Sequence, residues 1–201
     1  MSKFTSLSQQ ASFFVSVTDW RDLPPEDGAE IAFAGRSNVG KSSAINALTR
    51  RRSLAYVAKT PGRTRQINFF RLDDNGYLVD LPGYGYAKVP EAISRRWELL
   101  LSKYLQTRIS LIGLVLVLDA RHPLTPLDQQ MLDWFAPTGK PVLILLSKAD
   151  KLTRQQANRT LRKVNDLLAQ FYPCSTAQLF SSATHTGLVK AEEVLAQWLK
   201  R

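Results

Sequence analysis

Apolar residues in this chain fall into two kinds of run. Segments 29–34 ("AEIAFA"), 110–120 ("SLIGLVLVLDA") and 141–146 ("PVLILL") are short and almost continuously apolar. Strands covered on both faces read that way. Between and after them the period changes to that of an amphipathic helix. Such stretches are 42–50 ("SSAINALTR"), 90–108 ("PEAISRRWELLLSKYLQTR"), 126–136 ("PLDQQMLDWFA"), 153–172 ("TRQQANRTLRKVNDLLAQFY") and 188–201 ("LVKAEEVLAQWLKR"). Pro90 is tolerated at a helix start. Segments 67–72 ("INFFRL") and 76–81 ("GYLVDL") flank "DDNG", a hairpin signal, and 177–183 ("AQLFSSA") supplies a last strand. Apart from the hairpin this is βαβ order. It predicts an α/β fold: six strands, mostly parallel with one antiparallel, helices on both faces, and a ligand at the carboxyl ends of the strands. Residues 1–28, with a "FFVSV" patch and a turn-rich "LPPEDG", read as an extension ahead of one domain spanning 29–201.

Chemistry enters first at "GRSNVGKSS", between the first predicted strand and helix. Gly35, Gly40, Lys41 and Ser42 fit G-x-x-x-x-G-K-[ST] in the strand–loop–helix setting that motif requires. The glycines let successive N–H groups turn inward, and the following helix adds its positive end. Lys41 would reach the β- and γ-phosphates, and Ser42 Oγ would ligate Mg²⁺. A chance match in a glycine-bearing turn is the competing reading.

"SKAD" (147–150) lies where strand "PVLILL" ends. A carboxylate at Asp150 can accept from guanine N1–H and its exocyclic amine together, a pair adenine lacks. Lys148 can lie along the base. Taken alone, Lys148 and Asp150 read better as a surface turn after a strand. "DLPG" (80–83) follows another strand; Asp80 can hold a Mg²⁺-bound water and the Gly83 N–H can meet a γ-phosphate. "KTPGRTRQ" (59–66) offers one placed hydroxyl, Thr64. Ser42, Thr64 and Asp80 together make a Mg²⁺ site sensitive to the γ-phosphate. "FSSATHTG" (180–187) can supply contacts to the base edge.

Composition adds a possible partner. The 201 residues carry 27 basic against 17 acidic side chains, net +10. Ile31 to Leu72 holds no Asp or Glu but contains Arg36, Lys41, Arg50, Arg51, Arg52, Lys59, Arg63, Arg65 and Arg71. That exceeds what one nucleotide needs, so nucleic-acid binding is expected, against a merely solvated face. No apolar run is long enough to span a membrane. Cys174 is the single cysteine, so no intrachain disulfide forms, and a reducing cytoplasm is the expected compartment.

The runs "IAFAGRSNVGKSSAINALT", "TPGRTRQINFF", "LVDLPGYGYAKV", "LDARHPLTPLDQQMLDW" and "SKADKL" together resemble the EngB (YihA/YsxC) family of bacterial GTPases, from about Phe13 to the C-terminus. The resemblance implies a P-loop, Ras-like GTPase domain acting in assembly of the large ribosomal subunit. It implies GTP or GDP as ligand, Mg²⁺ at Ser42 and Thr64, ribosomal RNA or a pre-50S particle as partner, no membrane, and a monomer. The nucleotide segments are then Gly35, Arg36, Ser37, Asn38, Val39, Gly40, Lys41 and Ser42; Gly62, Arg63, Thr64, Arg65 and Gln66; Asp80, Leu81, Pro82 and Gly83; Ser147, Lys148, Ala149 and Asp150; and Phe180, Ser181 and Ser182. Ser147 stands where the guanine motif usually has Asn or Thr. Asn38 occupies the position that similar potassium-activated GTPases use to hold K⁺, or it only stabilises the loop.

Lys41 is the one catalytic candidate. Where many GTPases have a water-orienting glutamine, this chain has Tyr84, expected as a mobile contact, so no general base is assigned and slow turnover raised by a partner follows. His122 is expected to be structural. A P-loop phosphotransferase acting on a small acceptor is the alternative, although no inserted segment is long enough for a lid.

Overall fold

In a computed structural model of the chain, residues 3–55, 66–73, 76–85 and 91–200 are described. They form β1 (Ser12–Val17), β2 (Ala29–Gly35), β3 (Ile67–Asp73), β4 (Gly76–Asp80), β5 (Leu111–Asp119), β6 (Val142–Ser147) and β7 (Ser175–Leu179). The helices are α1 (Lys3–Gln9), α2 (Lys41–Thr49), α3 (Glu91–Thr107), α4 (Pro126–Phe135), α5 (Arg154–Phe171) and α6 (Leu188–Trp198). The sheet runs β1-β3-β4-β2-β5-β6-β7. β3 is antiparallel to both β1 and β4, and every other pairing is parallel, so β3 alone runs against the rest.

The sheet has seven strands where the sequence pattern predicts six. The seventh is β1, inside the segment read as an extension. Its partner β3 lies about fifty residues away, and its exposed first half lacks the continuous apolar run of a buried strand. α1 also joins the fold: Phe4 is fully buried, Thr5 Oγ1 donates to Glu192 at 2.9 Å, and Ser8 Oγ donates to the Leu48 carbonyl at 3.3 Å.

Alternate residues of the central strands feed two cores. Ala32, Ala34, Leu114, Leu116 and Leu118 pack with α3, α4 and α5. Ile31, Phe33, Val115 and Val117 pack with α1, α2 and α6. Both faces are covered, which is why these strands read as unbroken apolar runs. At the amino end of β2, buried Glu30 accepts from Tyr104 (2.6 Å), Ser110 (2.9 Å) and Arg108, whose Nη2 also donates to the Pro24 carbonyl at 2.7 Å. Burial, then the Glu30 charge, pushes the Tyr104 phenol up. This network ties the turn-rich segment to the sheet end remote from the candidate site. Among the described residues no helix is long and apolar enough to cross a membrane.

Candidate nucleotide site

The chain leaves β2, turns through residues 36–40, enters α2, and later crosses back over β2 to reach β5 on its other side. Strand order therefore reverses at the carboxyl end of β2, where open α/β sheets bind ligands. Two residues in the turn are left-handed: Asn38 at φ 65° and Gly40 at φ 98°. Gly40 is the N-cap of α2 and makes no side-chain cap. The first-turn N–H groups of α2 therefore have no intrahelical acceptor and no cap, and point out as anion donors. Lys41, in that turn, is ion-paired with Asp80 at the end of β4. Ser42 is half-buried beside it.

The guanine-type segment is fastened to this loop from the side. Ser147 Oγ donates to the Val39 carbonyl at 2.6 Å, and Lys148 Nζ donates to the Asn38 carbonyl at 2.8 Å. Lys148 is itself left-handed, at φ 57°, and pairs with Asp119 Oδ2 at 3.0 Å. The hydroxyl of Ser147 thus engages the phosphate loop directly. Asp150 accepts from Ser181 Oγ at 2.6 Å, and the Ala149 N–H donates to the Phe180 carbonyl at 3.1 Å. The Ser181 bond, more than the nearby Lys151, holds the Asp150 carboxyl below its usual range. Phe180 is buried, so its contribution here is its backbone, while Ser182 is half-buried at the loop surface.

The D-x-x-G segment closes over the same loop. Leu81 and Pro82 are buried, and Gly83 is exposed. A Cβ on Gly83 would stand 3.3 Å from both Cα and N of Ser37, so the two loops approach closely at this glycine. The Ser37 N–H donates to the Tyr84 carbonyl at 3.0 Å. Tyr84 is held rather than mobile: its hydroxyl donates to Asp128 Oδ1 at 2.8 Å. Burial, then the Asp128 charge, pushes this phenol well above its ordinary range. A phenol so placed accepts no proton at neutral pH. Arg36 Nε donates to the same Asp128 oxygen at 3.2 Å, and its Nη2 donates to the His122 carbonyl at 2.8 Å.

Two carboxylates here were not among the residues singled out from the sequence. Asp128 is fully buried in the first turn of α4, where its Oδ2 accepts from Thr125 N (2.9 Å) and Oγ1 (2.8 Å). The T-x-x-D spacing at 125–128 is a capping-box signal; that the same acid also faces Arg36 and Tyr84 has no local signature. Asp119 ends β5 and is gripped by Arg121 through Nε (2.9 Å) and Nη2 (2.7 Å) as well as by Lys148. Arg121 chiefly, then Lys148, holds its carboxyl well below the usual range. The structure brings residues 35–42, 80–83, 147–150 and 180–182 together; Gln66 is half-buried just ahead of β3. Gly62, Arg63, Thr64 and Arg65 lie outside the described residues.

With this geometry in view, the chain can be set beside known proteins. Residues 30–148 match the family described as "MMR_HSR1: 50S ribosome-binding GTPase". The chain is 62% identical over 190 residues to "Probable GTP-binding protein EngB" of Thiobacillus denitrificans, covering 94% of this chain and 91% of that protein. It is 58% identical over 194 residues to the protein of the same name from Azoarcus sp., covering 96% and 93%. Among solved structures, a crystal structure of a probable GTP-binding protein engB matches with TM-score 0.68 at 21% identity, covering 86% of this chain and 99% of that one. Era in complex with MgGDPNP and a segment of 16S ribosomal RNA matches with TM-score 0.65 at 18% identity, covering 86% and 57%.

Proposed function

The chain belongs to the EngB family of P-loop GTP-binding proteins, and on that premise we propose that it is a GTP-hydrolysing switch acting in assembly of the large ribosomal subunit. The observation that carries the proposal is the pair of bonds from Ser147 and Lys148 into the phosphate loop, beside an Asp150 carboxylate that accepts from Ser181 Oγ. They put a guanine acceptor and a phosphate cradle in one rigid unit. Adenine would leave that carboxylate without its two donors.

Mg²⁺ binds in such sites through one or two protein oxygens together with phosphates and waters. Ser42, and Asp80 through a water, are the described oxygens that fit; Thr64 is assigned to the same ion. When bound, the ion offsets charge on the β- and γ-phosphate oxygens. The remaining work falls to this chain. Lys41 exchanges Asp80 for phosphate oxygens, the α2 amides hold the phosphates in line, and the Gly83 N–H meets the γ-phosphate. Asn38 presents an exposed amide at the loop crest and is the proposed K⁺ ligand. Tyr84 donates to Asp128 and orients no water, so intrinsic turnover is slow and a partner accelerates it.

The proposed partner is ribosomal RNA or a pre-50S particle, met by a cytoplasmic monomer. The basic excess, the ribosome-binding description of the matching family, and Era's complex with ribosomal RNA support this reading. Nucleotide titrations and co-sedimentation with large-subunit precursors under GTP, GDP and a non-hydrolysable analogue test it. GTP and GDP should bind in preference to ATP, and particle association should differ between the GTP-like and GDP forms. Asp150→Asn should shift preference to xanthine nucleotides. Equal affinity for ATP and GTP, or nucleotide-independent sedimentation, would sink the reading.

A further inference from the structure

Among the described strands β1 stands at one edge of the sheet, and it presents two exposed aromatic rings in succession: Phe13 is 59% and Phe14 40% exposed. They project to opposite sides of the strand. Phe13 meets Phe70 edge-on at 6.3 Å, on the α1 and α2 side. Phe14 lies 5.6 Å from Tyr77 on the other side, with the Arg71 guanidinium 4.3 Å over its ring. Arg71 is exposed and pairs across the ladder with Ser12. Arg51 reaches the carboxyl end of α1, three residues ahead of β1, its Nη1 donating to the Gln9 carbonyl at 3.2 Å, and Arg52, next in the chain, is exposed. Arg50 is otherwise engaged, within 3.4 Å of Glu192. Two described acids on this side are turned inward: that Glu192, buried and accepting from Arg50 and Thr5, and Asp73, whose carboxyl lies against Gly76.

An apolar edge strand invites pairing with another chain unless it is blocked. Here the ladder is broken by an irregularity between Phe13 and Val15, which spoils the regular template an added strand needs. The exposed charged side chains described beside it, Arg51, Arg52 and Arg71, are cationic. Aromatic faces interleaved with guanidinium groups match a ligand that has both π-faces and phosphates.

We infer that the β1 edge is a binding surface for single-stranded RNA, with bases stacking on Phe13 and Phe14 and phosphates against Arg51, Arg52 and Arg71. The inference rests on the reading of this chain as a ribosome-assembly GTPase and adds the surface that touches RNA. Stacking is tolerant of base identity, so the surface takes unpaired RNA of no fixed sequence. It lies away from the nucleotide site, so RNA and GTP bind together.

Fluorescence anisotropy of the full chain with a labelled oligouridylate of about a dozen nucleotides, across a salt series, tests this. Phe13→Ala/Phe14→Ala should weaken binding at least about tenfold, within the range of one to two lost stacks, and leave the salt slope unchanged. Phe13→Trp/Phe14→Trp should keep the parent affinity. Arg51→Gln/Arg52→Gln should flatten the log–log salt slope by roughly 0.7 per lost contact. GDP affinity, unchanged in all three, reports that each variant is folded.

Parent-like RNA binding by the double alanine variant overturns the inference and leaves the ribosomal reading standing. So does a parent that binds particles but not the oligonucleotide, or one that prefers duplex RNA regardless of the phenylalanines. Alanine variants that change only self-association overturn it in favour of a protein-pairing edge. A parent that binds neither RNA nor particles removes both.

Discussion

Asp128→Ala takes out a fully buried carboxylate that accepts four hydrogen bonds, and the size of the loss can be worked from those bonds. Oδ2 holds the Thr125 end of the α4 capping box, and losing such a cap costs about 1 kcal/mol. Oδ1 holds Arg36 and the Tyr84 hydroxyl; a bond to a charged group contributes about 1.5–3 kcal/mol and a neutral donor about 1. Arg36 is partly exposed and keeps its bond to the His122 carbonyl, so its share sits at the low end. A total near 3.5 kcal/mol follows, which for a chain of this size lowers Tm by about 7–14 °C. Asp128→Asn should fall between. Whichever way the amide is turned, its NH₂ faces either the Thr125 N–H or Arg36, a donor against a donor. Tyr84→Phe removes one bond and should cost about 1 kcal/mol. Thermal unfolding with and without GDP reads all three. The alanine variant should also lose GDP affinity, since Arg36 and Tyr84 both hold the phosphate loop through their backbones. An Asp128→Ala shift under about 2 °C, or one equal to that of Tyr84→Phe, would refute the reasoning.

Three further outcomes are expected. Ser147→Ala leaves the Val39 carbonyl without its 2.6 Å partner and should cost about 1–3 kcal/mol in thermal unfolding, with weaker nucleotide binding, whereas Ser147→Thr keeps the hydroxyl and should stay near the parent. Asp119 has a folded pKa below its unfolded value near 4, so its stabilisation is present at neutral pH and lost as pH falls through the acid range; Asp119→Asn should flatten the acid limb of the stability curve. Lys148→Ala should weaken GDP binding more than its exposure implies, because it frees the Asn38 carbonyl and strips one cation from Asp119; unchanged affinity by titration calorimetry would count against the coupling.

The layout was legible in the sequence wherever burial on both faces forced continuous apolar runs, as in β2, β5 and β6. The hairpin of β3 and β4 was legible for another reason: a turn signal sits between two apolar strands. β1 was not, because an edge strand buries little and its partner β3 is remote in sequence. At the site, G-x-x-x-x-G-K-S and S-K-x-D are recognisable because each is a short run of fixed spacing at the end of a buried strand. The contacts of Asp119 and Asp128 do not. Each acid is local to its own element, and Tyr84, Arg36 and Lys148 reach it from 44, 92 and 29 residues away. Tyr84 looked free in a glycine-rich stretch because the carboxylate that fixes it lies in α4, beyond both α3 and β5.

Those two acids explain how one loop can serve two readers. The phosphate loop is strung between them. On its Arg36 side it is tied through Arg36 and Tyr84 to Asp128, and so, through Tyr84, to the end of the D-x-x-G segment. On its Asn38 side it is tied through Lys148 to Asp119, and so to the segment that carries Asp150. A ligand filling the base position and one pressing on Gly83 therefore act on the same five-residue turn from opposite ends. Coupling between base recognition and the switch needs no further element than this turn. It should weaken when either tie is cut: in a double-mutant cycle on GTP-over-GDP preference, Tyr84→Phe and Lys148→Ala should be non-additive, as residues sharing one strained loop are. Strict additivity would mean the two ends of the loop move independently.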